Sequence, residues 1–167
     1  MRLMVHEIKR VRRYAEKHNF RFSVRINGTS DLHPAQFIDP DTGLCILDLF
    51  DDVQFYDYTK SIARYFWAKK KRNYDITFSY DGYNDDKCLA VLNDGGKVAV
   101  VFYGNMPTTF WGYPVVDGNR DDIRFDNGES VVIGLHYHRT ARDYQTGKFV
   151  VPEDAFVVKE NNFNSVF

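Results

Sequence analysis

The stretch Asp85-Asp86-Lys87-Cys88-Leu89-Ala90-Val91-Leu92-Asn93-Asp94-Gly95-Gly96-Lys97-Val98-Ala99-Val100-Val101-Phe102 decides the fold. Asp85 or Asp86 opens a helix that carries Leu89, Val91 and Leu92, and Asn93-Asp94-Gly95-Gly96 ends it. The run that follows is apolar at consecutive rather than alternate positions, which suits a parallel strand covered on both faces. A helix passed through a glycine turn to such a strand is half of a βαβ unit.

Earlier segments repeat the pattern. Ile62, Phe66 and Trp67 share a helical face, and Tyr74-Asp75-Ile76-Thr77-Phe78-Ser79 then reads as a strand. Before them Thr42 caps a short helix with Leu44, Ile46, Leu47, Leu49 and Phe50, followed by the strand Val53-Gln54-Phe55-Tyr56-Asp57. Phe20 to Ile26 alternates apolar and polar and stops at Asn27-Gly28-Thr29-Ser30-Asp31. Leu3, Val5, Ile8, Val11 and Ala15 predict an amphipathic helix over residues 1–19 with a basic outer face. Downstream, Tyr113 to Asp117 and Val131 to His136 are further strands; residues 152–167 form a C-terminal tail. The expected fold is one α/β domain, 1–167, of repeated strand-helix units in a mainly parallel sheet. About six strands fit an open or partial TIM-barrel-like arrangement better than a closed barrel of about 250 residues.

Composition narrows the classes. The chain has 167 residues, 44% hydrophobic, and no apolar run of the twenty or so residues a membrane span needs. The first residues lack a signal-peptide pattern, and Cys45 and Cys88 are isolated, so the expectation is a reducing cytosol without membrane association. A formal net charge of -1 leaves nucleic-acid or membrane attraction to local patches. Such patches exist: Lys9, Arg10, Arg12, Arg13, Lys17, Arg21 and Arg25 crowd the start, and aspartates cluster from Asp39 to Asp57.

Several strands end in polar residues, giving Asn27, Asp31, Asp57, Lys60, Ser79 and Asp117 as candidate catalytic positions, because strand-end loops of parallel sheets converge on one rim. The same residue types also cap helices and make turns there. Arg64-Tyr65-Phe66-Trp67-Ala68-Lys69-Lys70-Lys71-Arg72 interleaves aromatics with cations; Arg64, Trp67, Lys69, Lys70, Lys71 and Arg72, with Arg10 and Arg13, are the candidate contacts to a partner or to nucleic acid. Alternatively Phe66 and Trp67 enter the core while the lysines solvate a helix C-terminus. Asp117 to Asp122 only partly fits a calcium loop, since the twelfth residue from Asp117 is Gly128 and Glu129 comes one place late. His136 and His138 share a strand face beside Arg139 but lack a third ligand, so no metal is expected. Cys45 and Cys88 read as buried thiols, and no phosphate loop, nucleophile elbow or zinc-protease signature is present.

The blocks Arg25-Ile26-Asn27-Gly28-Thr29-Ser30-Asp31, Val53 to Lys60, Thr77-Phe78-Ser79, Val98 to Phe102, Gly112 to Phe125 and Val132 to Leu135 resemble, in the same order, those of a phage and prophage family of the gene-product-88 type. The resemblance runs from about Phe20 to about Val151, and the phrase Phe55-Tyr56-Asp57-Tyr58-Thr59-Lys60 is its most specific part. It implies a mobile-element origin and no defined reaction. Longer relatives carry an iron–sulfur-like cysteine segment ahead of these blocks; with that segment missing, no cofactor is expected. The expectation is therefore a non-catalytic phage protein in the bacterial cytoplasm. It would bind a host protein or single-stranded nucleic acid and inhibit host defence of the CRISPR type. A partial-barrel enzyme acting on a nucleotide or nucleic acid is the alternative.

Overall fold

A computed structural model describes residues 1–137 and 156–159. The described elements are α1 (Arg2–His18), β1 (Ser23–Arg25), α2 (Ile46–Leu49), β2 (Gln54–Thr59), α3 (Ile62–Ala68), β3 (Tyr74–Ser79), α4 (Asp85–Asn93), β4 (Lys97–Tyr103), β5 (Thr109–Phe110), β6 (Tyr113–Asp117), β7 (Val131–His136) and β8 (Val157–Lys159). Strands pair in the order β1-β2-β3-β4-β7-β6-β5, with β8 on β4. Each pairing is parallel where its register is defined, except β5 with β6. The mainly parallel α/β sheet is the one the sequence predicts. The chain divides into two compact units, Met1–Ile76 and Thr77–Phe167, with the division inside β3.

In the first unit α1 ends where Asn19 turns left-handed at φ 55 and Phe20 N–H bonds back to Ala15 O at 2.9 Å. That closure commits Phe20 to the helix end, so β1 begins at Ser23 rather than at Phe20 as expected. Ile8 and Ala15 are the buried residues of α1, whereas Leu3 is 75% exposed. Thr42 does not cap α2. Its hydroxyl donates to Asp39 at 2.8 Å inside a turn, and the helix starts at Ile46 after Cys45. Ser61 caps α3, accepting from Arg64 N–H at 3.3 Å. The buried residues of α3 are Arg64, Tyr65 and Ala68, so Tyr65 enters the core where Phe66 was expected to; Phe66 is exposed. Ile46, Leu47, Phe50, Val53, Phe55 and Ile76 also belong to this unit's core.

The second unit is built around β4, where Val98, Ala99, Val100 and Phe102 are all buried, as a doubly covered strand requires. Asp85 and Asp86 occupy the first turn of α4, where the helix dipole favours acids. Gly95, at φ 84, follows the helix end, and Gly96 N–H reaches back to Val91 O at 2.8 Å. β7 runs parallel to β4 over Lys97↔Val131 to Phe102↔His136. On its other side β7 pairs with β6, which joins β5 through a tight hairpin. Trp111 and Gly112 take positive φ there, 52 and 79, and this matches the mirror-image turn that a twisted two-strand ribbon prefers. The crossover from β6 to β7 carries no helix. Buried Arg124 holds it instead, donating to Gly118 O at 2.7 Å and Asp121 O at 2.6 Å.

Candidate functional site

The polar centre of the first unit follows from the alternation of β2. Phe55, Asp57 and Thr59 share its inward face and are all buried. A carboxylate on an apolar face needs a partner, and the buried residues of α3 supply Arg64. Arg64 Nη2 donates to Asp57 Oδ2 at 2.6 Å, with the two side chains 3% and 1% exposed. Asp57 Oδ2 also accepts from Asn27 Nδ2 at 2.5 Å, just past the end of β1, and from the Tyr74 hydroxyl at 3.3 Å, at the start of β3. Tyr74 in turn accepts from Arg64 Nη2 at 2.5 Å. Asp57 Oδ1 takes the backbone N–H of Tyr58 at 3.1 Å.

Asp31 lies on the outer side of this group. Its Oδ1 pairs with Arg64 Nη1, and its Oδ2 accepts from Thr59 Oγ1 and the Lys60 backbone N–H, both at 3.1 Å. Asn27 organises the connecting loop, accepting on Oδ1 from Ser30 Oγ at 2.7 Å and Leu32 N–H at 3.2 Å. One guanidinium therefore serves two carboxylates, one buried and one 42% exposed. Burial pushes the Asp57 carboxyl above the usual carboxylate range, against the pull of Asn27 and Arg64. Burial also raises the Tyr74 phenol, and the same network keeps Arg64 charged despite its desolvation.

Three of the six candidate catalytic residues, Asn27, Asp31 and Asp57, thus come together, and Lys60 joins them through its backbone. Ser79 and Asp117 belong to the second unit and play local parts. The Ser79 carbonyl accepts from Asn84 Nδ2 at 3.0 Å. Asp117 is exposed and accepts from Asn119 N–H at 2.9 Å and Nδ2 at 2.6 Å, which hold its carboxyl below the usual range. Tyr74 and Asn84 lie outside the polar strand-end residues that the sequence offers, whereas Thr59 is one of those residues but not one of the six candidates. For Thr59 the signal was present, because it shares a strand face with Phe55 and Asp57.

The aromatic-basic segment is redistributed. Arg64, expected as a surface contact to a partner or nucleic acid, is instead buried in the Asp31–Asp57 network. Trp67 packs edge-on to His33 at 4.3 Å, beneath Lys71, which is itself tied to Asp48 at 2.9 Å. Lys69, Lys70 and Arg72 stay exposed. On α1, Arg10 pairs with Glu7 at 2.6 Å and Arg12 bridges Glu16 and Asp52. His6, Lys9, Arg12 and Arg13 border a cavity of ≈ 600 Å³ floored by Leu49 and Phe50.

Both cysteines are buried, and desolvation pushes the Cys88 thiol up to about 12. Among the described residues no group of three or more His, Cys, Asp or Glu is placed to hold a metal ion, and no helix is long and apolar enough to cross a membrane. His136 is exposed at the end of β7; His138 and Arg139 lie outside the described residues. Neither the curated proteins nor the solved structures gave a match. A family model described as gene product 88 matches residues 1–150, and the chain belongs to that family.

Proposed function

We propose that this protein is a non-catalytic binding protein encoded by a phage or mobile element. In this reading it inhibits host defence by docking the basic flank of α1 onto an acidic surface of a host effector of the CRISPR type. The observation that carries this reading is the ≈ 600 Å³ groove, where His6, Lys9, Arg12 and Arg13 stand over Leu49 and Phe50. Cationic rims over an apolar floor combine steering with desolvated contact area. Glu16 and Asp52 engage Arg12, which leaves Lys9 and Arg13 as the positions for charge reversal. A host with an active CRISPR effector, expressing the chain, should lose restriction of a targeted phage. Lys9→Glu/Arg13→Glu should restore it, and the purified effector should bind that variant at least tenfold more weakly. Full restriction in the presence of the wild-type chain would overturn the proposal.

One observation favours the second reading, a partial-barrel enzyme acting on a nucleotide or nucleic acid: Asn27 and Asp31, past the carboxyl end of β1, converge with Asp57 in the carboxyl-terminal half of β2 on Arg64. Hydrolysis or transfer on nucleotide substrates that Asp57→Asn abolishes, in a variant that stays folded, would favour this reading; turnover unchanged by the substitution would count against it.

A further inference from the structure

Asp31 sits where a ligand's anion would sit. Its two carboxylate oxygens collect a guanidinium N–H from Arg64, the Thr59 hydroxyl at 3.1 Å and the Lys60 main-chain N–H at 3.1 Å. A cation, a hydroxyl and a backbone amide aimed at one point form a donor set that also suits phosphate. The set lies past the carboxyl end of a parallel strand, where α/β sheets receive ligands.

Two features set this contact apart from an ordinary ion pair. Arg64 already has a buried counter-ion in Asp57 at 2.6 Å, so Asp31, 42% exposed, is a second anion on one cation. Arg64 Nε is buried without a hydrogen-bond partner, so the guanidinium keeps a donor that neither aspartate uses. The loop bearing Asp31 is anchored on both sides, by Asn27 on Asp57 and by His33 against Trp67. Between the anchors Gly28, Thr29 and Ser30 are exposed, and nothing stands within 4 Å of the place a Cβ on Gly28 would take. Ser30 and Leu32 on either side of Asp31 are themselves bonded to Asn27, so it is the half-exposed Asp31 side chain that can turn to solvent while the loop backbone holds.

We infer that Arg64, Thr59 and Lys60 form a binding site for the phosphate group of a phosphomonoester, which Asp31 occupies as an internal stand-in. Phosphate is favoured over carboxylate because it offers three acceptor oxygens to the three donors of Arg64, Thr59 and the Lys60 main-chain N–H, where Asp31 offers two. The site needs neither the α1 groove nor a reaction, so it stands or falls apart from both readings above.

The test titrates inorganic phosphate, at constant ionic strength against chloride, into the wild-type chain, Asp31→Ala and Asp31→Asn, following the Lys60 amide by NMR. Removing the stand-in should tighten phosphate binding at least tenfold in Asp31→Ala, with Asp31→Asn in between. Adding Thr59→Val to Asp31→Ala should reverse most of the gain. Tighter binding of adenosine monophosphate than of inorganic phosphate would identify a nucleotide as the source, and equal binding a phosphate group alone. Asp31→Asn keeps the side chain's size and its acceptor oxygen, so it remains informative if Asp31→Ala does not fold. Equal phosphate affinity in the wild-type chain and the folded variants, or an unmoved Lys60 amide, would overturn the inference.

Discussion

Replacing Arg64 with Met tests the polar centre of the first unit directly. The substitution keeps an unbranched apolar stem but removes the cation from Asp57, which is 1% exposed. The carboxylate would retain Asn27 Nδ2 at 2.5 Å, Tyr58 N–H at 3.1 Å and the Tyr74 hydroxyl at 3.3 Å. Three neutral donors do not replace a counter-ion, and stripping one partner from a buried pair typically costs about 3–5 kcal/mol. Against a usual stability of about 5–15 kcal/mol, that moves a urea midpoint by about 1 M or more. Burial already raises the Asp57 carboxyl, and loss of Arg64 raises it further. A folded-state value above the unfolded one gives stability that is fully present below the unfolded value of about 3.9 and lost as pH rises through the folded value. The deficit of Arg64→Met should therefore be largest at pH 7 and smaller at pH 5. Removing the charge as well, in Arg64→Met/Asp57→Asn, should recover at least about 1.5 kcal/mol of the loss, a coupling expected of residues in direct contact. The chain has two tryptophans, so Trp111→Phe leaves Trp67, whose ring lies 6.2 Å from that of Tyr74, to report on this unit by fluorescence during urea unfolding. A loss below about 1 kcal/mol at pH 7, or a deficit unchanged by pH, would refute the account of Arg64 as the counter-ion that Asp57 requires.

Other expectations follow from single contacts. Tyr74 is a buried phenol and Tyr80 a half-buried one, Tyr80 pushed up to about 12 by desolvation and Tyr74 also raised. Both should remain protonated at pH 11 in an ultraviolet titration, Tyr74→Phe should remove one of the late phenols, and the stability they contribute should fall as pH rises past the ordinary 10.0. In β7 a Cβ on Gly134 would run into Met106 Sδ and come within 2.9 Å of Val115 Cγ1. Gly134→Ala should lower the thermal midpoint with a cost of about 1–3 kcal/mol, and adding Met106→Ala should return part of it. Cys88, buried with its thiol raised to about 12, should resist an aromatic disulfide reagent at pH 8 until denaturant is added. Rapid modification of the native chain at Cys88 would contradict its burial.

Much of the fold was legible because its signals are local. Consecutive apolar residues in Val98 to Phe102 announced a doubly covered strand, and Gly95 the end of the helix before it. β3 and β7 fall where the pattern put them, Tyr74–Ser79 and Val131–His136. Hydrophobic periodicity and turn chemistry act within a few residues, so the amino-acid order alone carries them. It also placed Asn27, Asp31 and Asp57 at strand ends as polar candidates. Tertiary structure alone decided what those residues do. Asp57 finds its partners 7, 17 and 30 residues away, in Arg64, Tyr74 and Asn27, through elements whose spacing in the chain says nothing of their distance in space. The same long-range packing turned Arg64 from a surface cation into a buried counter-ion and sent Tyr65 inward in place of Phe66. A charge on an apolar strand face must be neutralised, and which cation does so depends on the helix that the folded sheet brings over it.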